Sequence, residues 1–73
     1  MLYYPYMGSK EEIVFRKELS KKLSEAREKL GLTQEEVAKK AGMNVNHYAK
    51  VERGEHTPKG TTLQNLYKAL KIS

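Results

Sequence analysis

Between Thr33 and Gly54 two runs with apolar residues at helical spacing are separated by a single glycine, Gly42. This punctuation constrains the fold more than any other feature, because each run spans only about two turns and so short a helix is marginal alone. Both runs must therefore be held by packing. In the first, Thr33-Gln34-Glu35-Glu36 spells a Thr-x-x-Glu capping box, Val37, Ala38 and Ala41 are the inward positions, and Gly42 ends the helix. In the second, Asn44 can cap the first turn, Tyr48 and Val51 face inward, and Gly54 is the stop. Asn46, Lys50 and Arg53 then fall at i, i+4 and i+7, one outward stripe without apolar partners.

The rest of the chain supplies what these two helices pack against. Residues 1–9 hold Tyr3, Tyr4, Tyr6 and Pro5 without a period of 3.6 or 2, and they read as an N-terminal arm. Residues 10–73 read as one helical domain. Ser9 and Glu12 form a Ser-x-x-Glu box, after which Phe15, Leu19, Leu23, Ala26 and Leu30 lay one apolar stripe along a long first helix that Gly31 terminates. Ile13 and Val14 widen the stripe at its start. Glu55 to Gly60 is polar, holds Pro58, and reads as a loop. Thr61 and Thr62 offer a hydroxyl cap for a fourth helix with Leu63, Leu66, Tyr67 and Leu70 at i, i+3, i+4 and i+7. No segment alternates as a half-buried strand would, so the expected fold is all-α, a small bundle of about four helices with an extended first helix.

Composition narrows the function. At 73 residues with no cysteine, one core must stabilise the fold without disulfides or thiolate-bound metal. Lys and Arg number 14 against 9 Asp and Glu, a net charge of +5 that favours a polyanionic partner, nucleic acid first. No apolar run approaches spanning length, which places a membrane well behind. Met1 to Tyr6 lacks the basic leader and long apolar stretch of a secretory signal, so a cytoplasmic location is expected. His47 and His56 are the only imidazoles and neither is spaced with Asp or Glu as a metal or catalytic site would require. No enzyme, no metal and no cofactor are expected.

Taken in order, Arg27, Leu30-Gly31-Leu32-Thr33-Gln34-Glu35-Glu36-Val37-Ala38, Ala41-Gly42, Val51-Glu52-Arg53-Gly54, Pro58, Thr62-Leu63, Leu66 and Ala69-Leu70 resemble the Cro and phage-repressor type of helix-turn-helix domain, the Xre family, across Arg27 to Ser73. The resemblance implies a double-stranded DNA-binding regulator whose third helix, near 45–53, enters the major groove. It implies a homodimer on a pseudo-palindromic operator, most simply as a repressor. Asn44, Val45, Asn46 and Lys50 match the family's base-facing positions. Asn46 can pair bidentately with adenine, Lys50 can donate to guanine, Val45 can pack on a thymine methyl, and Asn44 can equally serve as the helix cap. Gln34 matches the glutamine that grips phosphate at the start of the second helix, against the alternative of a simple helix-start residue. Arg53, Thr57 and Lys59 are further phosphate candidates, the last two weighed against a solvated loop; Lys39, Lys40 and His56 rank behind them. Arg27 and Glu52 match a pair that the family uses as a structural ion pair.

Two departures from that pattern carry expectations. Tyr48 stands where a branched aliphatic residue is usual, so its phenol must find a hydrogen-bond partner, and a small rotation would exchange Val45 for His47 on the groove side. The family's fifth helix is missing after Ile72-Ser73. Either the polypeptide is a fragment, or the first helix and the tyrosine arm cover the surface, with Ile13, Phe15 and the arm packing there or against a second subunit. A different class of function, a protein-interaction module such as an antitoxin holding a toxin or a bridge to polymerase, would use the same bundle with the apolar arm as its contact.

Overall fold

The computed structural model describes residues 10–72, and over these the chain forms four helices and no strand: α1 (Lys10–Leu30), α2 (Gln34–Ala41), α3 (Val45–Glu52) and α4 (Gly60–Leu70). The arm, its tyrosines and the Ser9 half of the first capping box lie outside the described residues. The core is built from the inward positions of every helix: Leu19 and Leu23 of α1, Val37, Ala38 and Ala41 of α2, Tyr48 and Val51 of α3, and Leu66 and Leu70 of α4. Helix α2 packs on α3 and α4, and α1 also packs on α3 and α4. Each fully buried Leu, Val or Tyr in this set contributes about 1.5–3 kcal/mol relative to exposure. Neither short helix would persist without that contribution.

The apolar stripe of α1 is longer than the bundle it serves. Leu19 and Leu23 are buried, but Phe15 and Leu30 at the two ends of the stripe are 38% and 40% exposed, and Ile13 and Val14 are 41% and 48% exposed. Periodicity fixes which face of α1 turns inward; the shorter helices packed against it decide how much of that face is covered. Helix α4 also begins earlier than the hydroxyl cap predicted. Lys59 is the N-cap in extended backbone without a side-chain cap bond, and its carbonyl already accepts the Leu63 amide at 2.8 Å. Buried Pro58 anchors the loop just ahead of it, so the loop ends at Lys59 and Gly60 is the first helical residue.

Candidate nucleic-acid interface

The turn between α2 and α3 is closed by local backbone chemistry. At the start of α2 the Thr33 hydroxyl accepts the Glu36 amide at 3.1 Å and the Glu36 carboxylate accepts the Thr33 amide at 2.8 Å. At its end Gly42 takes the left-handed conformation, φ 69°, which lets the Gly42 and Met43 amides reach the last free carbonyls of the helix. Asn44 then caps α3, its side-chain oxygen accepting from the Asn46 amide at 2.7 Å and the His47 amide at 3.3 Å. Three residues thus separate α2 from α3, and α3 leaves the turn with its first-turn amides capped by a neutral side chain and no acidic residue in that turn.

What sets the rotation of α3 is a polar hub on its inner side. The Glu52 side chain, 8% exposed, accepts hydrogen bonds from Arg27 (Nε at 2.8 Å, a terminal nitrogen at 3.1 Å), the Tyr48 hydroxyl (2.5 Å) and the Gln34 amide (2.8 Å). Arg27 also donates to the Leu32 carbonyl at 2.9 Å, and the Ser20 hydroxyl donates to the Glu52 carbonyl. Three helices are thereby tied at one carboxylate. Burial alone would raise the Glu52 carboxyl, but the hydrogen bonds from Arg27, Tyr48 and Gln34 outweigh it and hold the group below its ordinary value. Burial and the bond to Glu52 push the Tyr48 phenol well above its ordinary value, so it stays a donor. The hydrogen bond to Glu52 likewise raises Arg27. Tyr48, entirely buried, finds its hydrogen-bond partner one turn along its own helix.

With Tyr48 and Val51 buried on the inner face, Asn46, Lys50 and Arg53 are exposed together on the outer one, with Asn44 exposed at the cap. Arg53 is the C-cap, one residue beyond the helix, and its guanidinium makes two bonds to the exposed Glu55 carboxylate at 3.1 and 3.2 Å. Val45 is half-buried on the flank toward α2, packed against the core and bordering Glu35, Ala38, Lys39 and Met43. His47 is half-buried on the opposite flank, where its ring meets His56 edge to face at 4.6 Å. Burial, then the charges of His47, Arg16 and Lys50, hold the His56 imidazole below its ordinary value.

The remaining residues picked out in the sequence are placed less freely. Gln34 spends one amide N–H on Glu52. Thr57 donates to Glu12 at 2.9 Å and accepts from Arg16 Nε at 2.7 Å, while Arg16 also bonds Glu12 at 2.8 Å, so the loop after α3 is strapped to α1. Lys59 is exposed at the start of α4. Sequence reasoning does not single out Arg16 or Ser20, and it gives Glu12 only as half of a capping box. The spacing of Glu12 and Arg16 on one helix face was readable as an i,i+4 pair; their closure onto Thr57, 41 and 45 positions away, had no local signal.

Among the described residues no helix is long and apolar enough to cross a membrane, and no group of three or more His, Asp or Glu is placed to hold a metal ion. A helix-turn-helix family model matches residues 17–73, from the second turn of α1 through the end of α4. No curated protein and no solved structure matches the chain. The matched family is a DNA-binding one and not an enzymatic one. With two short helices closed at Gly42 and the polar stripe of the second facing outward, the chain belongs to the Cro/C1-type helix-turn-helix family and is a DNA-binding regulator of the Xre type.

Proposed function

We propose that this protein is a sequence-specific transcriptional regulator that lays α3 in the major groove, binds a pseudo-palindromic operator as a homodimer, and represses by occluding a promoter. The observation that carries the reading is the division of α3 into two faces, Asn46, Lys50 and Arg53 outside and Tyr48, Val51 and the Glu52 hub inside. A groove-reading helix needs that division, since its base-facing side chains must be free while its orientation is fixed to within about 10–20°. In this reading Asn46 pairs with adenine and Lys50 donates to guanine, while Asn44 and Val45 border the base edges from the turn and the α2 flank. Arg53, Thr57 and Lys59 face the phosphate backbone, Arg53 by exchanging Glu55 for phosphate.

Gln34 takes a more defined role than the sequence suggested. Its amide carries two N–H groups, and the one bound to Glu52 orients the other for a phosphate at the amino end of α2. Glu35 and Glu36 lie in that same turn and oppose an anion there, so Gln34 contributes a single directed bond rather than a charge-lined pocket. The test is a selection of bound duplexes from a random library. A two-fold symmetric motif with half-sites about one helical turn apart is expected; an unsymmetrical motif would remove the dimer, and absence of any preferred sequence would remove the readout by α3.

A further inference from the structure

Beside the outward stripe of α3 the fold gathers four groups that can carry positive charge and that the sequence keeps apart: Arg16 on α1, His47 and Lys50 on α3, and His56 in the following loop. The two imidazoles touch edge to face, with ring centroids 4.6 Å apart. The charges of Arg16 and Lys50 both act on His56, which is exposed to solvent. The acids within reach are committed to other partners: Glu12 to Arg16 and Thr57, Glu55 to Arg53 with Lys50 farther off, and Glu52 to the inner hub. The imidazole pair thus lies beside Arg16 and Lys50, while the carboxylates of Glu12, Glu55 and Glu52 are bonded to arginines or to the inner hub. It lies on the flank of α3 and not on its crest, which is where the sugar-phosphate strand bordering a groove would pass.

We propose that Arg16, His47 and His56, with Lys50 adding its charge from the base-facing stripe, form a seat for one backbone phosphate of the bound duplex, filled together with uptake of one proton from solvent by the imidazole pair. The inference rests on α3 being the duplex-facing helix. In the free protein burial first, and then the charges of His47, Arg16 and Lys50, hold the His56 imidazole below its ordinary value and so favour its neutral form. A phosphodiester supplies the counter-charge; the protonated ring then donates to a phosphate oxygen while the edge-to-face contact lets its neighbour's ring face the new cation. Affinity for DNA therefore rises as pH falls, over and above the electrostatic attraction common to all basic domains.

Because His47 and His56 are the only histidines in the chain, the test is specific. Binding of a library-selected duplex is measured by fluorescence anisotropy at fixed ionic strength from about pH 8 to about pH 6, the range in which imidazoles titrate. The dissociation constant should tighten by up to about tenfold per pH unit, the limit for one proton. In His47→Gln/His56→Asn the dependence on pH should be lost, whatever the variant's affinity at high pH. Imidazole resonances of the wild-type protein, titrated with and without duplex, should show a higher pKa in the complex, a reading that holds whether or not the double variant folds. An equal pH slope in the variant, or unmoved imidazole pKa values, overturns the proposal while leaving the groove reading intact. Failure of any duplex to be preferred at every pH would instead overturn the groove reading itself.

Discussion

Replacing Glu52 with alanine should be the most damaging single change on the polar side of this bundle. The carboxylate is the acceptor for Arg27 at two nitrogens, for Tyr48 and for Gln34, at distances of 2.5 to 3.1 Å, and its side chain is 8% exposed. Its removal strands the Arg27 guanidinium, 19% exposed, with only the Leu32 carbonyl, and leaves the Tyr48 hydroxyl unpartnered in the core. Breaking a buried ion pair from one side costs about 3–5 kcal/mol, and an orphaned hydroxyl alone about 1–3 kcal/mol. These losses share one group and do not add in full, so about 3–5 kcal/mol is the expected total. A domain of this length has a total stability of roughly 4–11 kcal/mol. The variant should therefore melt at least about 12 °C lower, and at the upper end would be largely unfolded at room temperature. Lys50→Ala, at an exposed site, should change stability by less than about 0.5 kcal/mol. Urea unfolding followed by circular dichroism measures both. Equal effects would mean that the carboxylate is solvated and that α3 is not locked by it.

Other perturbations follow from the same geometry. Glu52 has a folded-state pKa below its ordinary 4.5, so its contribution is complete above that pH and is lost as pH falls through the lower folded value; acid unfolding monitored by circular dichroism should show it, and Glu52→Gln should remove it. Tyr48 has the opposite sign, with a folded pKa above 10.0, so stability is complete below that pH and declines as pH rises further, a loss absent from Tyr48→Phe in alkaline melts. Gly42→Ala meets no neighbouring atom, yet it places a Cβ at φ 69° and should cost about 1–2 kcal/mol in thermal denaturation, with Gly42→Asn costing less. Asn46→Ala and Lys50→Ala should change which duplexes are preferred, whereas Arg53→Ala should weaken all sequences alike and reduce the slope of affinity against salt by about one.

Local backbone chemistry made much of this fold readable. The Thr33–Glu36 box, the Asn44 cap and the glycines at 31, 42 and 54, all with positive φ, place helix ends by interactions confined to a few residues. The inward positions of α2, α3 and α4 were equally legible from spacing. Three things were not. The exposure of Ile13, Val14 and Phe15 depends on where the shorter helices stop, which the periodicity of α1 does not encode. The N-cap of α4 falls at Lys59, just after buried Pro58, and not at the nearest hydroxyl. The convergence on Glu52 was visible only in part: its Arg27 partner followed from the family resemblance, but Gln34 was expected at phosphate and Tyr48 was left with an unnamed partner, although Tyr48 and Glu52 stand i,i+4 on one helix. The proposed binding face shows the same division. Its outward stripe follows from helical spacing, while the strap from Thr57 to Arg16 and the contact of His47 with His56 arise only when the loop folds back on α1.

In the proposed mode of binding the outer side of α3 meets base pairs while the Glu52 hub fixes its inner side. The most direct test is an amide and side-chain chemical-shift titration of the folded protein with a library-selected duplex. Resonances of Asn46, Lys50 and Arg53 should move furthest, with Tyr48 and Val51 little changed; contact carried elsewhere, with those three outer residues unmoved, would contradict the claim.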